Sequence, residues 1–120
     1  MNEQQLPLFD RVLATRDALR ERTGCAPRIG FVLGSGLGAF AGSVDDRQAV
    51  SYEELEHMPR STVPGHSGNF VFGRVGGIEV AVMAGRAHYY EGHDLADLTI
   101  GVRSLIALGC EAIVVTNAAG

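Results

Sequence analysis

The feature that most constrains this chain is the passage Gly30-Phe31-Val32-Leu33-Gly34-Ser35-Gly36-Leu37-Gly38, an apolar run that breaks into a glycine-rich turn. A short run of this kind reads as a buried strand, and the glycines after it let the backbone turn tightly and present its N–H groups. Clustered N–H groups make an anion site, most of all where a helix N-terminus adds its dipole. Ser35 adds a hydroxyl donor at the same place. Taken alone the pattern stays open, because glycine-rich turns also serve as plain connectors between strand and helix.

Around this passage the chain alternates between helical and extended patterns. Residues 3–22 read as a helix with Leu8, Val12 and Leu19 on one face, stopped by Thr23-Gly24 and Pro27. Residues 29–33 form the first strand. From Phe40 to Val50 the pattern is mixed, and Asp45-Asp46 marks a turn. Ser51 and Glu54 stand at capping-box spacing for a short helix that ends by Pro59. Asn69–Val75 and Ile78–Met83 alternate like strands, and the Gly76-Gly77 between them predicts a hairpin. Asp94 caps a helix with Leu95, Leu98, Val102, Leu105 and Ile106 on one side, closed by Gly109. Glu111–Thr116 is an apolar, β-branched strand leading into Asn117-Ala118-Ala119-Gly120. The order predicts an α/β fold, a mixed sheet flanked by helices, in which ligands collect beyond the carboxyl ends of strands. Gly34–Gly38, Arg86–Tyr90 and Asn117–Gly120 all follow predicted strands, which argues for one shared site.

Between Gly85 and Gly92 the chain reads Gly-Arg-Ala-His-Tyr-Tyr-Glu-Gly. Arg86, His88 and Tyr90 are two apart, so extended backbone projects them from one face. An arginine fork binds phosphate in bidentate fashion, and a histidine beside it donates near neutral pH. Tyr90 offers a flat surface and a hydroxyl suited to a sugar, and Glu91 can orient a histidine. The plainer alternatives are a surface ion pair for Arg86 and a structural imidazole for His88. His66, set between glycines in Val63–Gly68, is either solvated or poised over a site. His57 and His93 read as surface residues, and Met83 and Tyr89 as packing.

With 120 residues and 46% apolar composition the chain suits one small domain with a real core. The net charge of −4 gives no basic field for nucleic acid. Neither a membrane-length apolar run nor a secretory signal is present. Cys25 and Cys110 read as free thiols of a reducing cytoplasm, and the histidines lack the partners of a metal site.

The turn Gly34–Gly38 (GSGLG), the loop Val63–Gly68 (VPGHSG), the segment Gly85–Gly92 (GRAHYYEG) and the stretch Val115–Gly120 (VTNAAG) occur in an order that resembles the trimeric class of purine nucleoside phosphorylases. The resemblance covers nearly the whole chain from the first strand onward. It implies reversible phosphorolysis of purine (deoxy)ribonucleosides to free base and (deoxy)ribose 1-phosphate. By the same resemblance Ser35, Arg86, His88 and the backbone at Ala118 would hold phosphate, with His66 closing over it. Tyr90 would line the ribose pocket, Glu91 would order phosphate and His88, and Asn117 would shape its loop; catalysis would rest on His88, Glu91 and His66. Inorganic phosphate is then a co-substrate, with no metal or organic cofactor, and the complete enzyme would be a homotrimer in the cytoplasm, with no nucleic-acid or membrane partner.

Members of that family are much longer, and their purine-recognising residues lie in a part this sequence does not contain. Residues 1–120 are therefore expected to be the N-terminal portion of a single phosphorylase domain, without useful activity when isolated. One alternative is a catalytically inactive fragment that binds anions. Another is a dinucleotide-binding domain, since Gly34–Ala39 satisfies the loose G-x-G-x-x-G/A pattern. That domain needs a second parallel strand ending in an acidic residue about 20 positions on. Glu53, Glu54 and Glu56 fall instead in a helix-like context.

Overall fold

The computed structural model describes residues 6–32, 38–58, 68–84 and 95–115, with the side chains of residues 38, 39 and 95–98 excepted. In chain order the elements are α1 (Leu8–Thr23), β1 (Ile29–Val32), α2 (Gly38–Gly42), β2 (Asp45–Ser51), a 3-10 turn (Tyr52–Glu54), β3 (Asn69–Val75), β4 (Ile78–Ala84), α3 (Leu95–Leu108) and β5 (Ala112–Val115). The strands form one sheet in the order β2-β3-β4-β1-β5. β1 lies between β4 and β5 and is parallel to both. The β2–β3 and β3–β4 pairs are antiparallel, so β3 alone among these strands runs the other way. This is the mixed α/β sheet expected from the sequence.

Side chains alternate across the sheet as strand geometry requires. Phe70, Phe72, Ala81, Met83 and Val32 point to one face, where Val12 and Leu19 of α1 and Ile100, Leu105 and Leu108 of α3 complete the main core. Val71, Val80 and Val82 point to the other, against Ala41, Val44 and Phe40. Phe31 meets Phe40 there at a ring-centroid distance of 5.0 Å. The two long helices touch at the buried Ser104, whose hydroxyl donates to the Ile100 carbonyl at 2.7 Å and lies 3.3 Å from the Val12 carbonyl.

Local signals are obeyed where they are strong. Gly76 and Gly77 have φ of 60° and 85°, and positive φ at both central residues suits the right-handed twist of a two-residue hairpin. Ser51 Oγ accepts from the Glu53 N–H at 3.2 Å, and the Ser51 N–H donates to Glu54 Oε2 at 3.1 Å, which completes the capping box. The turn it caps ends at Glu54, well before Pro59. Gly109 closes α3 with a φ of 118°.

Four expectations need correction. α1 begins at Leu8, with Pro7 as its extended N-cap, not at residue 3; proline disfavours helical backbone in the residue before it. The stretch around Asp45-Asp46 is a strand, β2, held by pairing with β3; the turn-like signal survives as a positive φ of 53° at Asp46 and a register shift between Asp45 and Gln48. Ile106 is 52% exposed, because α3 presents Ile100, Ser104, Leu105 and Leu108 inward instead. His57 is largely covered, with 13% of its side chain exposed.

Candidate active site

The register of the sheet defines an edge. Val32 of β1 pairs with Met83 of β4 on one side and Val115 of β5 on the other. Ala84 pairs with Asn69 of β3, and Asn69 with Ser51 of β2. Five strand ends therefore lie in one row. Three of them, Val32, Ala84 and Val115, are carboxyl ends of adjacent parallel strands, where α/β sheets bind ligands.

Each place where the described chain stops along that row adjoins a segment singled out from the sequence. Val32 precedes the glycine turn with Ser35, Ala84 precedes the segment with Arg86, His88, Tyr90 and Glu91, and Val115 precedes the loop with Asn117 and Ala118. Gly68 follows the loop with His66 and accepts at its carbonyl from the Tyr52 N–H at 3.0 Å. Ser35, His66, Arg86, His88, Tyr90, Glu91, Asn117 and Ala118 themselves lie outside the described residues, as do His93, Asp94 and Tyr89. What the structure brings together is the set of four points at which their segments join the sheet. Reversal of β3 is what returns the chain to this edge for the fourth of them.

Described ion pairs include Arg28 with Glu111 at 3.3 Å, Arg22 with Glu54 at 2.7 Å, and Arg74 with Asp46, all exposed. Arg28 and Glu111 sit where β1 and β5 begin, at the opposite edge. Among the described residues no group of three His, Cys, Asp or Glu side chains is placed to hold a metal ion. Burial pushes the Cys110 thiol up to about 11, a direction that keeps it protonated and unreactive. No described helix is long and apolar enough to cross a membrane.

A dinucleotide fold is disfavoured by topology. Such a fold places the strand that follows the glycine turn beside the first, in parallel. Here that strand is β2, separated from β1 by β3 and β4. Glu54, a candidate for the acidic residue, is engaged in the capping box and with Arg22.

Directly beneath the edge Met83 is a packing residue, as read from the sequence, while the Met58 and Gly101 beside it went unnoticed. Met58 and Met83 are buried side by side with Val32 in the main core, and Gly101 of α3 rests on both methionines. A buried glycine in mid-helix was the available signal.

Residues 28–120 match the model of the family described as the phosphorylase superfamily. Purine nucleoside phosphorylase 1 of Geobacillus stearothermophilus is 45% identical over 102 residues, covering 85% of this chain and 37% of that protein. Purine nucleoside phosphorylase 1 of Bacillus subtilis (strain 168) is 41% identical over 111 residues, covering 92% and 41%. Among solved structures, the purine nucleoside phosphorylase of Schistosoma mansoni in complex with inosine superposes with a TM-score of 0.84 at 35% identity, over 92% of this chain and 38% of that one. The chain thus spans between about a third and two fifths of the length of the curated relatives it matches.

Proposed function

Given that the chain belongs to the phosphorylase superfamily, we propose that it is the N-terminal portion of a purine nucleoside phosphorylase domain and supplies most of its phosphate site. The observation that carries this reading is the row of three parallel carboxyl ends, Val32, Ala84 and Val115, adjoining the three segments whose residues suit an anion. Arg86 follows Ala84 by two positions and Ser35 follows Val32 by three, a short covalent reach from that row.

Phosphate held by Ser35, Arg86, His88 and the Ala118 backbone attacks C1′ of the nucleoside as the C1′–N9 bond breaks. The products are the free purine, protonated as it leaves, and (deoxy)ribose 1-phosphate. Positive charge develops on the ribose in the transition state, so a fixed phosphate dianion beneath C1′ stabilises it and also waits at attack distance. Tyr90 packs on the ribose, Glu91 orients His88, and His66 bears on the phosphate from its own loop. The reaction needs no metal or organic cofactor. The complete enzyme is a homotrimer of the cytoplasm acting in purine salvage, with no nucleic-acid or membrane partner.

The test is phosphate-dependent release of hypoxanthine from inosine. Activity that disappears without phosphate supports the assignment, and hydrolysis that ignores phosphate overturns it. A second reading, anion binding without turnover, is favoured by the limited coverage of the relatives. Both readings leave residues 1–120 alone without base release, so the full-length protein separates them: there the second reading predicts phosphate binding and still no release of hypoxanthine.

A further inference from the structure

Gly101 stands in the middle of α3, where glycine costs roughly 1 kcal/mol relative to alanine. It is buried, and its bare backbone faces the tips of two methionines. A Cβ at this position would overlap the Met83 Cε, lie 3.0 Å from the Met83 Sδ and lie 3.3 Å from the Met58 Cε. Both methionines are buried, in one cluster with Val32. Met83 forms the last rung between β4 and β1, one residue before β4 ends at Ala84. Met58 is the last described residue before the stretch 59–67. One helix position therefore receives a side chain from three residues before Arg86 and another from eight residues before His66.

We propose that Gly101, Met83 and Met58 form a positioning cluster that jointly fixes the backbone from which these two segments depart, and through them the affinity for phosphate. The link to phosphate rests on the function proposed above. Gly101 is a positioning residue and touches no substrate. Thioether side chains fill irregular gaps and adapt to their neighbours, so the missing Cβ is what lets both tips settle against the helix. A methyl group there must displace the flexible end of Met83, and in a closed core that tip can yield only into the space of its own neighbours, Val32 and Met58 among them. The next residues along the chain are Ala84 and the Arg86 segment.

Volume supplies the control. Met83→Val removes one side-chain heavy atom and Gly101→Ala adds one, so the double variant restores the filling of the gap with a shorter side chain opposite the new methyl. Backbone hydrogen exchange and titration with inorganic phosphate, both on this chain, read the outcome. Gly101→Ala is expected to speed exchange in residues 59–67 and 85–94 together and to weaken phosphate binding by about tenfold, since small misplacements of binding groups are costly. The double variant is expected to recover both to within about threefold, as volume-conserving swaps do. Should Gly101→Ala not fold, Met58→Ala takes its place and must speed exchange in residues 85–94 as well as in its own neighbours. A response confined to one segment, an unchanged phosphate affinity in folded Gly101→Ala, or no recovery in the double variant overturns the proposal. A parent chain that binds no phosphate overturns the functional reading instead, while exchange still decides whether the cluster couples the two segments.

Discussion

At Gly73 a methyl group would run into the Asp45 carbonyl and the Val44 side chain, where β2 bends across β3. Backbone cannot step aside as a flexible side-chain tip can, so Gly73→Ala should cost about 1–3 kcal/mol, the usual range for overpacking, read as a lower midpoint of urea unfolding. Cys110 makes a prediction in pH. Its thiol is raised from 9.0 to about 11 by burial, so between those values the folded chain keeps a proton that the unfolded chain has released. Stability attributable to this group is therefore complete below pH 9 and falls as pH rises towards 11. Urea midpoints at pH 8 and pH 10.5 should differ more for the parent than for Cys110→Ala; equal differences would remove the thiol from the account. Neither residue could have been singled out from sequence. Gly73 matters through β2, whose pairing was not foreseen, and Cys110 through the depth at which α3 returns to the sheet.

Elements differ in how far their own residues determine them. The Ser51–Glu54 box is closed by contacts within four residues, and Ser51→Ala should cost about 1 kcal/mol, as loss of an N-cap usually does, measurable by thermal unfolding. The β3–β4 hairpin and the close of α3 are likewise local, and both were legible. β2 was not, because five of its seven residues are exposed and show no alternation; its extended form comes from hydrogen bonds to β3. The inward face of α3 was misjudged at Ile106 for a related reason. Helical period allows several adjacent stripes, and the contact with α1 at Ser104 selects one of them. Phe70 is fully buried and stacks edge-on to Tyr52 with centroids 5.2 Å apart. Phe70→Ala should therefore cost about 3–5 kcal/mol, several times the loss at Ser51. For the candidate site, the alignment of the strand ends that precede the three segments was readable from the apolar runs themselves. The placement of β3, whose first residue Asn69 lies at that edge, depended on long-range pairing.

For the molecule as a whole, the two sheet edges contrast. The β2 edge carries Asp45, Asp46 and Arg47 and an irregular register, features that discourage pairing with another chain. The β5 edge, Ala112–Val115, carries no charge, and Val115 is 67% exposed. Residues 1–120 alone should accordingly self-associate, and Val115→Lys should lower light scattering at equal concentration while leaving the melting temperature nearly unchanged. Scattering that persists in the variant would point away from this edge. The position of β1 has a consequence of another kind. Its four residues pair with residues 80–83 and 112–115, all made later on the ribosome than β1 itself. As the chain emerges, β1 must wait for both of its neighbours, and the row of three carboxyl ends comes into being only once β5 is made.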